Sequence, residues 1–207
     1  MSFPSATGKQ PSLMTSHNGI RAPVPSVGPA RDRVFSVVVV RQLPSRYQAW
    51  IELPDALTAA ISRVHGQRVH VAPSYEGTTR AAAWEAALLG GWRGDNQCRR
   101  VYCREVALTL PGRTVVLARS LTTINDPSVA ALQALQRRPL AELLFHDPLW
   151  QRAAPPVALR WHRGADVIIG RASLWHRSGR RPGRLLVEEY FLDALFAPLE
   201  SVARFGA

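Results

Sequence analysis

A chain of 207 residues with 46% hydrophobic side chains can bury one substantial core, and a single domain is the default at that length. No membrane span is present: the longest apolar stretch, Val34 to Val40, contains a serine, and residues 1–29 lack the basic start and apolar core of a secretory signal. The formal charge of +11 invites a nucleic-acid partner, but Lys9 is the only lysine, and the arginines are scattered rather than striped with stacking aromatics, so no nucleic-acid partner is expected.

Residues 1–30 are rich in Ser, Pro and Gly and read as a disordered tail ahead of one folded domain at 31–200, with Met14 an alternative start. Asp32 to Val40 contains VFSVVVV, a strand packed on the main body. Between Ser45 and Val64, Trp50, Leu53, Leu57 and Ile61 recur at helical steps, Pro54 opening a second helix and Gly66 ending it. Gln67 to Val71 begins a strand. Pro73 to Asn96 is polar and glycine-rich, and reads as a flap rather than a core element.

Arg99 to Leu121 reads as a β-hairpin: two runs of β-branched and apolar residues flank Pro111-Gly112. Asp126 or Ser128 then caps a helix through Leu135, and Pro139 opens a short helix, PLAELLF. His146 to Asp166 reads as an irregular connection. Asp166 to His176 and Arg184 to Leu192 are strands joined by the basic loop RSGRRPG. Hairpins and flanking helices make an α+β fold with a mainly antiparallel sheet. Cys98 and Cys103 fall on opposite faces of one strand and form neither a disulfide nor a zinc pattern, which points to the cytoplasm.

Two places in this outline carry charge where a strand face is otherwise apolar. Tyr102, Arg104, Val106, Leu108 and Leu110 share one face of the first hairpin strand, so Arg104 needs a partner. A tight two-residue loop sets Arg104 opposite Arg119, a like-charge pair that calls for an anion between them; a bulge would shift that pairing by one residue. Both arginines reaching solvent, or pairing with Glu105 and other acids, is the plainer alternative. In the last strand, Glu188 and Glu189 interrupt LLVEEYFL on opposite faces, and a buried carboxylate there must be paired. Two arginines and a carboxylate around an apolar space suit a small anionic ring compound, and a structural ion pair accounts for Glu189 equally well.

No P-loop, GxGxxG or GxSxG motif occurs. The six histidines are scattered, and His65 and His70 beside a strand start read as surface residues. Four pieces, in order over roughly residues 43 to 196, give the chain its resemblance to a known family: Trp50 through Ala56-Leu57-Thr58, VYCREVAL with the turn and ARS, RRPLAELLF, and GRAS with VEEYFL. In these the chain resembles chorismate lyase (chorismate pyruvate-lyase), which converts chorismate to 4-hydroxybenzoate and pyruvate.

The resemblance implies a single α+β domain with an enclosed ligand pocket, no metal and no cofactor, chorismate as substrate and an aromatic acid product that feeds ubiquinone biosynthesis. It puts Arg104 and Arg119 on the family's two arginines, Glu189 on its essential glutamate, and Leu57 and Leu140 at the ligand. In that picture Arg104 forks the ring carboxylate, Arg119 meets the enolpyruvyl carboxylate or the charge on the breaking C–O bond, and Glu189 binds the 4-hydroxyl, as a base or as an orienting acceptor. Backbone amides near Leu57 and Leu140 complete the anion site. The alternative implied by the same fold is a non-catalytic small-molecule sensor. Such a sensor normally follows a helix-turn-helix module, and residues 1–30 are too short and proline-rich to be one.

Overall fold

The computed structural model describes residues 34–90, 100–163 and 165–197; the tail expected at 1–30 and Cys98 lie outside the described residues. Strands β1 (Val34–Val38), β2 (His70–Arg80), β3 (Arg100–Leu110), β4 (Arg113–Thr123), β5 (Trp150–Arg152), β6 (Val157–Arg163), β7 (Asp166–Arg177) and β8 (Gly183–Phe191) form one antiparallel sheet. Its order is β1-β6-β7-β8-β4-β3-β2, with the short β5 paired onto β7. The α-helices among the described residues are α1 (Ser45–Ile51), α2 (Leu57–His65), α3 (Ala83–Leu88), α4 (Ser128–Leu135) and α5 (Ala141–His146). None of them is long and apolar enough to cross a membrane. The architecture is the α+β, mainly antiparallel one expected from the sequence.

Alternation along the central strands divides the core between the two faces of the sheet. On one face, Val106, Leu108 and Val116 pack with Ile51 of α1 and with Leu57 and Ile61 of α2. On the same face, Tyr102, Leu185 and Val187 pack with Leu132 of α4 and Leu144 of α5. The other face carries Cys103, Leu117, Leu121, Leu186 and Tyr190 against Ala86 and Leu89 around α3. Gly66, at φ 60, ends α2 as its position predicts.

Four sequence expectations are corrected. The segment from Pro73, read as a flap, continues β2 to Arg80 and then forms α3. Its polarity reflects an edge strand, and Pro73 is tolerated there beside an irregularity between Pro73 and Tyr75. Pro54 does not open the second helix, which starts at Leu57 after Ala56; the Leu53 carbonyl is held instead by Arg171 Nη1 at 3.0 Å. The irregular connection from His146 to Asp166 contains β5 and β6. Pro155-Pro156 hides them by separating two short strands that bury Trp150 and Trp161. His65 is not a surface residue: it is 4% exposed, with Nε2 3.1 Å from the Leu195 carbonyl.

The hairpin turns at Pro111-Gly112, with Gly112 at φ 74, so the loop has two residues as expected. A bulge between Leu108 and Thr109 then shifts the ladder by one. It reconciles a Pro-Gly turn with the twist of the strands. Arg104 therefore faces Ser120, while Arg119 faces Glu105. The two arginines lie on opposite faces of the sheet, and the like-charge pair expected from the tight register does not form.

Where β7 crosses β8, a glycine is required by contact. A Cβ on Gly170 would lie 2.5 Å from the Glu189 carbonyl oxygen and 2.8 Å from Tyr190 Cδ1. Gly170→Ala must push β8 out of its ladder, and a loss of about 1–3 kcal/mol is expected from such overpacking. Urea denaturation measures it, and an unchanged midpoint would mean that β8 yields freely.

Candidate active site

Register builds the site from two adjacent cross-strand rows. In the first, Arg104 on β3, Ser120 on β4, Val187 on β8 and Ser173 on β7 follow one another across the sheet. In the second, the sequence is Val106, Ala118, Glu189 and Arg171. One strand separates Arg104 from Glu189, which sets them roughly 10 Å apart across the sheet. The small side chains of Ser120 and Ala118 leave the space between them open. Helices α2 and α5 roof that space, and the resulting cavity is walled by Leu57, Val71, Leu108, Leu140, Leu144 and Trp175. An apolar lining with a few polar groups is usual for small-molecule sites.

Arg104, Leu57, Leu140 and Glu189 thus come together around one cavity. Arg104 is 1% exposed. Its Nη2 donates to the carbonyls of Gln136 at 2.8 Å and Arg138 at 3.1 Å, while Nε is buried with no partner among the described residues. Burial holds this guanidinium below its usual pKa, against the opposing pull of Glu76. The turn that Arg104 grips is strained: Gln136 has φ 50 and ψ −104, a positive-φ conformation uncommon for any residue but glycine.

Glu189 is anchored by Arg171, whose Nε donates to Oε2 at 2.5 Å. Arg171 Nη1 donates in turn to the carbonyls of Trp50 at 2.9 Å, Ile51 at 3.3 Å and Leu53 at 3.0 Å. One guanidinium therefore joins the carboxylate of β8 to the loop that leads into Leu57.

Arg119 does not line the cavity. It is fully buried on the other face, with Nη1 2.5 Å from Glu85 Oε1 and 4.0 Å from Glu188 Oε1, and Nε 3.4 Å from Glu105 Oε1. Glu85 Oε2 also accepts the Ala82 N–H at 2.5 Å and so caps α3, and Tyr190 Oη donates to Glu188 Oε2 at 2.6 Å. The sequence set Arg119 opposite Arg104, with pairing to Glu105 and other acids as one alternative; the bulge turns it to the other face, where Glu105 is one of its partners.

Two cavity arginines were missed. Arg171 is the one charged side chain within VIIGRASLW, a signal of the same kind that singled out Arg104. Arg152, on β5, lay in the stretch read as irregular. Both line the cavity.

Beside Arg104, Tyr102 Oη donates to Glu76 Oε1 at 2.7 Å. Burial, and then the Glu76 hydrogen bond, push the phenol up to about 12. A raised folded pKa contributes stability that is complete below the unfolded value near 10 and is lost as pH rises towards 12. Absorbance titration of the phenolates should show one late tyrosine that disappears in Tyr102→Phe; a Tyr102 titrating near 10 would contradict the burial argument.

Fold and cavity together define a class: a small α+β protein with an apolar-walled chamber lined by Arg104, Arg152 and Arg171. No family model matches the chain. It is 34% identical over 160 residues to a probable chorismate pyruvate-lyase of Chromohalobacter salexigens, covering 75% of this chain and 85% of the relative. A probable chorismate pyruvate-lyase of Aromatoleum aromaticum is 34% identical over 169 residues, 74% of this chain and 88% of the relative. One of Bordetella pertussis is 35% identical over 164 residues, 72% and 82% respectively. The chain belongs to the chorismate pyruvate-lyase family, a family of carbon–oxygen lyases.

Proposed function

We propose that the protein cleaves chorismate to 4-hydroxybenzoate and pyruvate, acting in the cytoplasm and supplying the ring precursor of ubiquinone. The observation that carries this reading is the pairing, across one apolar cavity, of a buried arginine with an unused Nε–H and a glutamate fixed by its own arginine. A ring carboxylate and a 4-hydroxyl sit at opposite ends of the substrate ring, and Arg104 and Glu189 line the chamber from strands separated by β4.

In this reading Arg104 binds the ring carboxylate through its remaining N–H groups. The Leu57 amide, at the first position of α2 and so without an acceptor inside the helix, adds a donor to the anion site. Leu140 and Leu57 press the ring from the helix side. Glu189 keeps Oε2 on Arg171 and offers Oε1 to the 4-hydroxyl, which orients the ring. The C3–O bond breaks, the C4 hydrogen passes to the methylene carbon of the departing enolpyruvyl group, and the products are pyruvate and an aromatic ring. Aromatisation drives the step. The protein's share is to hold the reactive conformer and exclude water.

Purified protein incubated with chorismate alone should yield 4-hydroxybenzoate and pyruvate in equal amounts by chromatography. Chorismate recovered intact would overturn the reading. Intact chorismate that nevertheless raises the melting temperature would instead support a sensor.

A further inference from the structure

With that function as its premise, we propose that Arg152 is the anchor for the substrate's second carboxylate, and that it gives the cavity its preference for a dicarboxylate over a monocarboxylate. Among the described residues, four buried or half-buried charged side chains line the chamber: Arg104, Arg152, Arg171 and Glu189. Asp55, also at the cavity, is exposed at its mouth, where water screens its charge. Arg171 and Glu189 neutralise each other in a direct ion pair. The two remaining cations match an occupant with two negative charges.

The donors point the same way. Among the described residues Arg104 Nε and Arg152 Nε are both buried without a hydrogen-bond acceptor, and both arginines line the same cavity. A buried N–H left unpaired is costly, and one such group on each of two arginines marks two places for an acceptor. Arg152 is preset for this task. Its guanidinium stacks on Trp175, 4.9 Å from the ring centroid, and β5 hydrogen-bonds in register with β7, Arg152 facing Trp175. Asp147, just ahead of β5, accepts Arg177 Nε at 3.0 Å and the Leu149 N–H at 3.0 Å, fixing the strand's start. Burial and then the neighbouring Arg171 depress the Arg152 pKa, against a smaller opposing pull from Glu189. Arg152 lies on the Arg171 and Glu189 side of the chamber, remote from Arg104 in sheet order, so the two cations serve two different groups. Arg119, the sequence's candidate for the second carboxylate, lies on the other face and leaves this role open.

The test compares ligands with one and two carboxylates. Calorimetry measures the affinities of 4-hydroxybenzoate and of the unreactive 3-(carboxymethoxy)-4-hydroxybenzoate for wild type, Arg152→Gln and Arg152→Lys, alongside kcat/KM on chorismate. Arg152→Gln should abolish the preference for the dicarboxylate and lower kcat/KM roughly thirtyfold or more, with 4-hydroxybenzoate affinity unchanged within about threefold. Arg152→Lys should recover part of both, because it keeps the charge but not the planar fork. A parallel loss of affinity for both ligands would overturn the proposal and leave Arg152 a packing partner of Trp175; so would unchanged dicarboxylate preference in Arg152→Gln. Wild type that prefers the dicarboxylate yet leaves chorismate intact would sink the lyase reading and keep this one.

Discussion

Arg104→Ala is expected to remove nearly all turnover of chorismate while leaving a folded protein. The side chain is 1% exposed and faces a cavity whose other walls are largely apolar, so a carboxylate that enters has given up its water. Truncating one partner of such a desolvated pair costs about 2–5 kcal/mol, which in kcat/KM is roughly thirtyfold to several-thousandfold. The variant also strips the Gln136 and Arg138 carbonyls of their donor. An unsatisfied buried acceptor costs about 1–3 kcal/mol, offset in part because a buried charge has gone. Activity and unfolding are therefore measured together, well below the melting temperature. Arg104→Lys should fall between the two proteins, since an ammonium cannot hold the turn and fork a carboxylate at once. A folded Arg104→Ala protein with kcat/KM within a few-fold of wild type would remove Arg104 from the anion site.

Arg104 was legible because a strand has period two: a charge in the row Tyr102, Val106, Leu108 has nowhere apolar to go. Glu189 stood out in LLVEEYFL for the same reason, and the strands carrying both residues were read correctly. Leu57 and Leu140 have no such mark. An apolar residue at a cavity and one in a core are written alike, and only the resemblance to a family distinguished them. The face of Arg119 depended on a single bulged position between Leu108 and Thr109, and a one-residue slip exchanges the two faces of a sheet. Nothing local encodes it.

Arg152 was lost for a different reason. Prolines on one side and a three-residue strand on the other erase the alternation that would have shown β5, and its pairing with β7 is long-range. Edge strand β2 was misread because one of its sides meets solvent and carries polar residues, so composition alone made it look like a loop. The chemistry in the core strands was visible; the contributions from the edges and from register were not.

Arg119→Met should cost the fold about 3–5 kcal/mol, the range for removing one partner from a buried ion cluster. Methionine fills much of the space but leaves Glu85, Glu105 and Glu188 gathered on one buried spot without their shared cation. Glu105 and Glu188 flank Arg119 directly across the strands, where like charges repel once nothing lies between them. Glu85 ties the same cluster to the start of α3 through the Ala82 N–H, so that helix should loosen first. Adding Glu85→Gln should restore part of the lost stability, and the double-mutant cycle measures the coupling. Turnover per folded molecule should fall far less than in Arg104→Ala, since Arg119 reaches the cavity only through Ala118 and Ser120, its neighbours on β4. The reverse pattern, a stable Arg119→Met protein that has lost turnover, would return Arg119 to the substrate and mean that the described face is not the one the enzyme uses.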